Sequence, residues 1–164
     1  MEFKKGGPVI RRATEEDVPL ILGFIRALAE YEHMTDAVIA DEETLRTWIF
    51  RKQRASVLIL EEGGIPAGFA LYFYNFSTFL GRSGIYLEDL FVRPEFRGKG
   101  YGRTLLKRQA AVAVEEGCGR LEWACLDWNR PSINFYLSLP SVPLDDWTTY
   151  RVTGENLINL AENG

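Results

Sequence analysis

Apolar and polar positions change period several times along the chain, and each change marks an element. Residues 8–12 read as a short strand. Thr14-Glu15-Glu16-Asp17 then reads as a helix N-terminus, a hydroxyl cap followed by acids that oppose the macrodipole. Val18, Ile21, Leu22, Ile25, Leu28 and Ala29 fall at helical spacing and predict its buried face. Asp41 predicts the cap of a second helix, with Leu45, Trp48 and Ile49 inward. Residues 56–60 and 65–75 predict a hairpin turning at Gly63-Gly64, and residues 84–92 a third strand stopped by Pro94. A long helix is predicted over 99–116, with Leu105, Leu106, Ala110, Val112 and Ala113 inside and Gly117 and Gly119 ending it. A strand over 121–126, a short helix over 131–139 opened by Pro131, a strand over 147–152 and a helix over 154–160 complete the reading. This alternation predicts an α/β (α+β) fold: a mixed sheet with helices on both faces.

The length of 164 residues fits one domain spanning 1–164. With 46% apolar and 26% charged residues, composition excludes neither an enzyme nor a binding module. Nineteen Lys and Arg against 23 Asp and Glu give a net charge of −4, which argues against a nucleic-acid partner and favours a cationic one. Cys118 and Cys125 form no CxxC pair, and His33 is the only histidine, so no metal site is expected and the thiols fit a reducing compartment. No membrane span is expected, because no eighteen apolar residues run together. Residues 1–7 are short, polar and basic, without a signal-peptide core, so the expected location is cytoplasmic.

The segment richest in chemistry is Arg97-Gly98-Lys99-Gly100-Tyr101-Gly102, between a strand end and a helix start. Three glycines in five positions oppose helix formation but let backbone N–H groups approach a ligand closely. At a helix N-terminus such a loop suits a phosphate. The spacing is neither that of the nucleotide P-loop nor that of GxGxxG, and a plain glycine-rich turn is the other reading.

That hexapeptide resembles the Q/R-x-x-G-x-G/A signature of the GNAT superfamily of N-acetyltransferases. Ala29-Glu30-Tyr31-Glu32, Tyr86-Leu87-Glu88-Asp89-Leu90-Phe91-Val92 and Asp127-Trp128-Asn129-Arg130-Pro131-Ser132-Ile133-Asn134-Phe135-Tyr136 resemble its diamine (spermidine/spermine) and thialysine acetyltransferase branch. The resemblance implies a single GNAT domain with a mostly antiparallel mixed sheet, and acetyl-CoA as co-substrate without a metal. It implies that Leu90, Phe91 and Val92 offer backbone groups to the cofactor's amide arm, which docks like an added strand. It places the pyrophosphate on Gly98, Lys99, Gly100, Tyr101, Gly102 and Arg103, with Arg97 at the loop's start. Asn129, Pro131 and Ser132 would line the far side of the thioester pocket, with Glu122 on the adjoining strand. Tyr136 matches the catalytic tyrosine and would also touch the cofactor. Tyr31, Glu32, Glu88 and Asp89 match positions around the amine, with Glu88 also catalytic. The sequence departs from the family at Leu139-Pro140, where the tyrosine's helix usually ends in glycine; proline cannot supply that left-handed cap.

These residue types suit attack of an amine on a thioester. An alkylammonium, with a pKa near 10, must lose a proton first, and Glu88 can bind it and relay the proton through water. Tyr136, of pKa about 10, can protonate a departing thiolate of pKa about 8.5. Holding both substrates together supplies roughly 7–11 kcal/mol, with no covalent intermediate. The expected reaction is acetylation of a primary amine on a small cationic molecule, a polyamine or a lysine-like amino acid such as thialysine. A protein or peptide amino group is a second acceptor, and a non-catalytic acetyl-CoA-binding regulator a third reading. Each residue also has a plainer role: Tyr136 as a core aromatic, Glu32 as a surface acid, His33 as a surface residue. Strand alternation predicts that Glu88 and Asp89 point to opposite faces. The resemblance, with an aromatic content of 13%, implies a homodimer.

Overall fold

Strands β1 (Val9–Arg12), β2 (Ser56–Glu62), β3 (Ile65–Ser77), β4 (Arg82–Val92) and β5 (Leu121–Trp123) form one sheet in chain order. The first four pair antiparallel, and β5 runs parallel to β4. This is the mixed, mostly antiparallel sheet that the alternation and the resemblance predict. The computed structural model describes residues 6–163, so the basic segment at 1–5 lies outside the described residues. The chain divides into two compact units, Met1–Ala124, which contains the sheet, and Cys125–Gly164.

Gly63 and Gly64 close the β2–β3 hairpin with φ of 59° and 80°, the left-handed pair that a two-residue turn demands. Ile59, Phe69 and Phe91 stand side by side across β2, β3 and β4 and face helix α1 (Val18–Tyr31). Phe24 of α1 stacks on Phe69, with ring centroids 5.0 Å apart, and meets Phe91 edge-on at 6.4 Å. Phe24 is thus the centre of the helix's buried face, while Ile25 and Leu28, expected there, are half-buried. On the opposite face Leu58, Ala70 and Leu87 are buried, and helix α3 (Tyr101–Glu115) packs there with Leu105 and Leu106. Both faces therefore carry a helix, as expected.

Asp17 fixes the entry to α1. Its carboxylate accepts hydrogen bonds from the Thr14 N–H at 2.8 Å and from both Arg11 Nη atoms at 2.7 and 2.8 Å. The acids of Glu15–Asp17 form a 3₁₀ turn before the helix proper.

The remaining expectations divide. Asp41 caps α2 (Glu42–Leu45) as predicted, accepting from the Thr44 N–H at 2.8 Å. The helix then widens into a π turn over Arg46–Arg51, which rotates Trp48 outward; it is exposed, with Lys52 Nζ 4.0 Å from its ring centre. In α3 the buried position is Gln109, and Ala110 is exposed. The predicted strand over 121–126 stops at Trp123. The one predicted over 147–152 is not a strand, and Trp147 and Tyr150 are 80% and 91% exposed. A β-favouring composition gives no strand without a neighbour to pair with. The second unit instead holds α4 (Arg130–Leu137) and α5 (Gly154–Asn163).

Candidate active site

The register of β4 slips in its second half. Leu87 pairs with Tyr72 and Asp89 with Leu71, so Glu88 is an extra residue, a β-bulge. Leu71 packs with the α1-side cluster, which puts Asp89 on that face, whereas Leu87 lies on the α3 side. Glu88 acts electrostatically on both Asp89 and Tyr86, so the two acids lie near one another. Strict alternation breaks here, since Leu87 and Asp89, two positions apart, lie on opposite faces, and the extra residue is the reason. Glu88 is exposed and Asp89 half-buried. Burial, reinforced by the charges of Glu88 and Glu32, pushes the Asp89 carboxyl up to about 7. Glu32 follows the last turn of α1, and burial raises its carboxyl too. The structure thus gathers Glu32, Glu88 and Asp89 into one acidic cluster. Tyr86 lies on the same face, stacked on Phe73 at 5.2 Å.

β5 pairs with β4 only from Ile85 to Leu87, and β4 continues to Val92. Among the described residues, no strand pairs with residues 88–92 on that side, so the backbone expected to meet an extended amide arm lies along an open edge. Glu122 stands opposite Tyr86, six residues short of Val92, ion-paired with Arg120.

Beyond Val92 the chain makes a 3₁₀ turn, Pro94–Phe96, and enters the loop. Arg97 Nε donates to the Val92 carbonyl at 2.9 Å, and its guanidinium lies 5.0 Å from the Tyr31 ring centre and 5.4 Å from that of Phe91. Tyr31, expected near the amine, thus also supports the start of the loop. Gly98 and Gly100 have φ of 80° and 79°, and a Cβ at either would meet no atom within 4 Å. Both stand just ahead of the α3 N-terminus, which begins at Tyr101 rather than Lys99 because left-handed residues cannot continue a helix. Lys99 Nζ sits on Glu62, 2.8 and 3.1 Å from its two carboxylate oxygens, and the Tyr101 hydroxyl donates to the same group. The sequence reading missed Glu62, since nothing local couples the end of β2 to this loop.

In the second unit, Asn129 caps α4, its side chain accepting from the Ser132 N–H at 3.4 Å, with Pro131 in the first turn. The rings of Phe135 and Tyr136 lie 5.3 Å apart. Where the family has glycine, two hydroxyls close the helix: Ser138 Oγ donates to the Phe135 carbonyl at 2.6 Å and Ser141 Oγ to that of Tyr136 at 2.7 Å. The path around Pro140 is held without a left-handed cap.

The model of the acetyltransferase (GNAT) family matches residues 23–139. The chain belongs to that family. It is similar to the thialysine N-epsilon-acetyltransferase of Bos taurus, 39% identical over 93% of this chain and 96% of the relative. It is also similar to the human spermidine/spermine N(1)-acetyltransferase-like protein 1, 31% identical over 93% of this chain and 23% of that protein. Among solved structures, an integron cassette protein from the mobile metagenome of V. cholerae superposes with a TM-score of 0.80 at 28% identity, covering 95% of this chain and 98% of that one. This GNAT chain is an N-acetyltransferase, an enzyme transferring acetyl to an amine. GNAT enzymes take the acetyl group from acetyl-CoA, which favours the phosphate reading of the glycine loop over a plain turn.

Proposed function

We propose that this enzyme acetylates a primary amine of a small cationic molecule, a lysine-like amino acid such as thialysine or a polyamine. The observation that carries the proposal is the bulge at Glu88, which turns Asp89 to the α1 side, where the charges of Glu88 and Glu32 act on it. Three acids at one place, one of them pushed up to about 7 by burial and its neighbours, form a site that gains by taking up a cation. The names of the relatives, with their diamine-like and lysine-like acceptors, support the same class.

The residues present fit acetyl-CoA. Left-handed Gly98 and Gly100 leave space that no Cβ fills, the α3 N-terminus opens there, and residues 88–92 offer an unpaired edge. In this reading Gly98, Lys99, Gly100, Tyr101, Gly102 and Arg103 surround the pyrophosphate, and Leu90, Phe91 and Val92 flank the amide arm. When bound, the co-substrate supplies an activated thioester. Glu88, exposed at the bulge, holds the ammonium, and Asp89, titrating near neutral pH, takes up its proton. The resemblance assigns to Tyr136 the proton that the departing sulfur would take. Asn129, Pro131 and Ser132, at the start of α4, are the residues that the resemblance assigns to the thioester.

A homodimer is part of the proposal, supported by exposed apolar side chains such as Phe76 and Phe79 on the β3–β4 hairpin and Leu157 and Ile158 on α5. With Cys118 and Cys125 kept as thiols, the proposed setting is the cytoplasm. The test is thiol release from acetyl-CoA with spermidine, spermine, putrescine, thialysine, lysine and a lysine peptide as acceptors. Turnover confined to small amines is the expected result. Turnover on the peptide alone would assign a protein acceptor, and silence with CoA still bound would assign a regulator.

A further inference from the structure

Glu62 is the last residue of β2, next to the Gly63-Gly64 turn, and belongs to none of the segments that carry the family resemblance. Both of its carboxylate oxygens accept from Lys99 Nζ, at 2.8 and 3.1 Å, and one also accepts from the Tyr101 hydroxyl. Lys99 and Tyr101 are the residues on either side of Gly100. One carboxylate thus grips both flanks of a residue whose φ is 79°. Gly98, at 80°, is the other left-handed residue of the same loop. Glycine backbone has the most conformational freedom to lose, so a loop with two such hinges would sample many shapes unless something outside it held it. Inside the loop, nothing comes within 4 Å of where a Cβ at Gly98 or Gly100 would stand.

We infer that Glu62 is a positioning residue for acetyl-CoA binding, holding the 98–102 backbone in its phosphate-receiving shape before the ligand arrives. The inference rests on the reading of this loop as the pyrophosphate site. An anion beside a phosphate site would otherwise repel the ligand. Lys99 cancels that charge, so the pair presents a neutral clamp while backbone N–H groups and the α3 N-terminus face the phosphates. Pre-ordering lowers the entropy lost on binding, which is where the gain in affinity arises. Lys99 on this view serves as an internal anchor. The rival arrangement makes Lys99 a direct phosphate ligand that Glu62 competes for, and it predicts the opposite sign for removal of Glu62.

The experiment compares wild type with Glu62→Gln in the full chain by three readouts. Amide hydrogen exchange over 97–103, without ligand, should quicken by about tenfold in the variant, the scale of losing charged hydrogen bonds. The dissociation constant for CoA, measured by calorimetry, should rise by about tenfold, the same loss read through binding. The KM for acetyl-CoA should rise with it while kcat changes by less than about twofold, since the clamp touches no reacting atom. Tyr101→Phe, which removes one arm of the grip, should show a smaller effect in the same direction. Exchange that is unchanged, or CoA binding that is unchanged or tighter in Glu62→Gln, overturns the inference. If wild type fails to bind CoA, the pyrophosphate reading itself falls, and the exchange comparison shows whether the clamp exists apart from it.

Discussion

The bulge at Glu88 sets Leu87 and Asp89, two positions apart on β4, on opposite faces of the sheet, because Asp89 pairs with Leu71 while Leu87 pairs with Tyr72. The acid held deeper is the one whose titration is displaced, to about 7, by burial first and by Glu88 and Glu32 after it. An unfolded aspartate titrates near ~3.9, so between about pH 4 and 7 the folded chain keeps a proton that the unfolded chain has released. Asp89 therefore contributes less to stability as pH rises through that window. Asp89→Asn should melt at the same temperature as wild type near pH 4 and several degrees higher at pH 8, about the shift that one or two kcal/mol gives at this size. The same variant should lose about a hundredfold in kcat/KM, in the range of one acid–base group. Paired melts at the two pH values decide it; a gap that does not widen with pH removes the raised pKa.

Gly100 and Gly117 allow a controlled comparison. Their φ values are 79° and 73°, and a Cβ at either meets open space in the free protein. Alanine should cost about 1–2 kcal/mol at each position, from left-handed backbone strain alone. Only Gly100→Ala should also weaken CoA binding, because its methyl enters the cradle. Equal affinities in the two variants, measured by calorimetry, would remove the loop from the cofactor site.

Phe24 anchors α1 to the sheet through Phe69 at 5.0 Å and Phe91 at 6.4 Å and is fully buried. Phe24→Ala should cost about 3–5 kcal/mol in urea unfolding, the usual range for a large buried aromatic. The loss should also loosen Glu32, which α1 carries at its end, and so raise KM for the amine at temperatures where the variant stays folded.

The parts of this molecule that sequence could disclose are those with a local cause. Gly63-Gly64, the acids after Thr14 and the Asp41 cap act within a few residues, and each stands where its chemistry predicts. The bulge was half-legible. Ile85 and Leu87 are apolar and alternate, then two acids in succession precede Leu90 and Phe91, and that break in phase is the trace of an extra residue. Glu62 left no trace, since 37 positions separate it from its partner Lys99 and only the β2–β3–β4 pairing brings the two together. The 147–152 segment misled for the converse reason: its residues favour extended backbone, but they pair with no strand among the described residues. Trp48 misled because a π turn shifts every later side chain around the helix axis.

Tyr136 and Ser141 give the last prediction. Tyr136 lies in the final turn of α4, beyond which Pro140 excludes the glycine cap, and Ser141 Oγ holds its carbonyl at 2.7 Å. The assigned role needs only the phenol hydroxyl, which a tyrosine keeps protonated at neutral pH and can donate to a leaving thiolate. Tyr136→Phe keeps the ring, and with it the Phe135 contact, and should keep the affinity for CoA while lowering kcat by about a hundredfold or more. Ser141→Ala removes no reacting group. It frees the end of the helix, and should lower kcat by less than Tyr136→Phe does, with a melting temperature reduced by about 2–4 °C for a lost hydrogen bond of roughly 1 kcal/mol. The decisive comparison uses acyl donors with different leaving groups. An acyl-thioester whose thiol has a pKa several units lower needs no proton on departure, so Tyr136→Phe should approach the wild-type rate with it, whereas Ser141→Ala should stay equally impaired with both. A Tyr136→Phe defect of the same size for good and poor leaving groups would leave the tyrosine as a packing residue and require another acid.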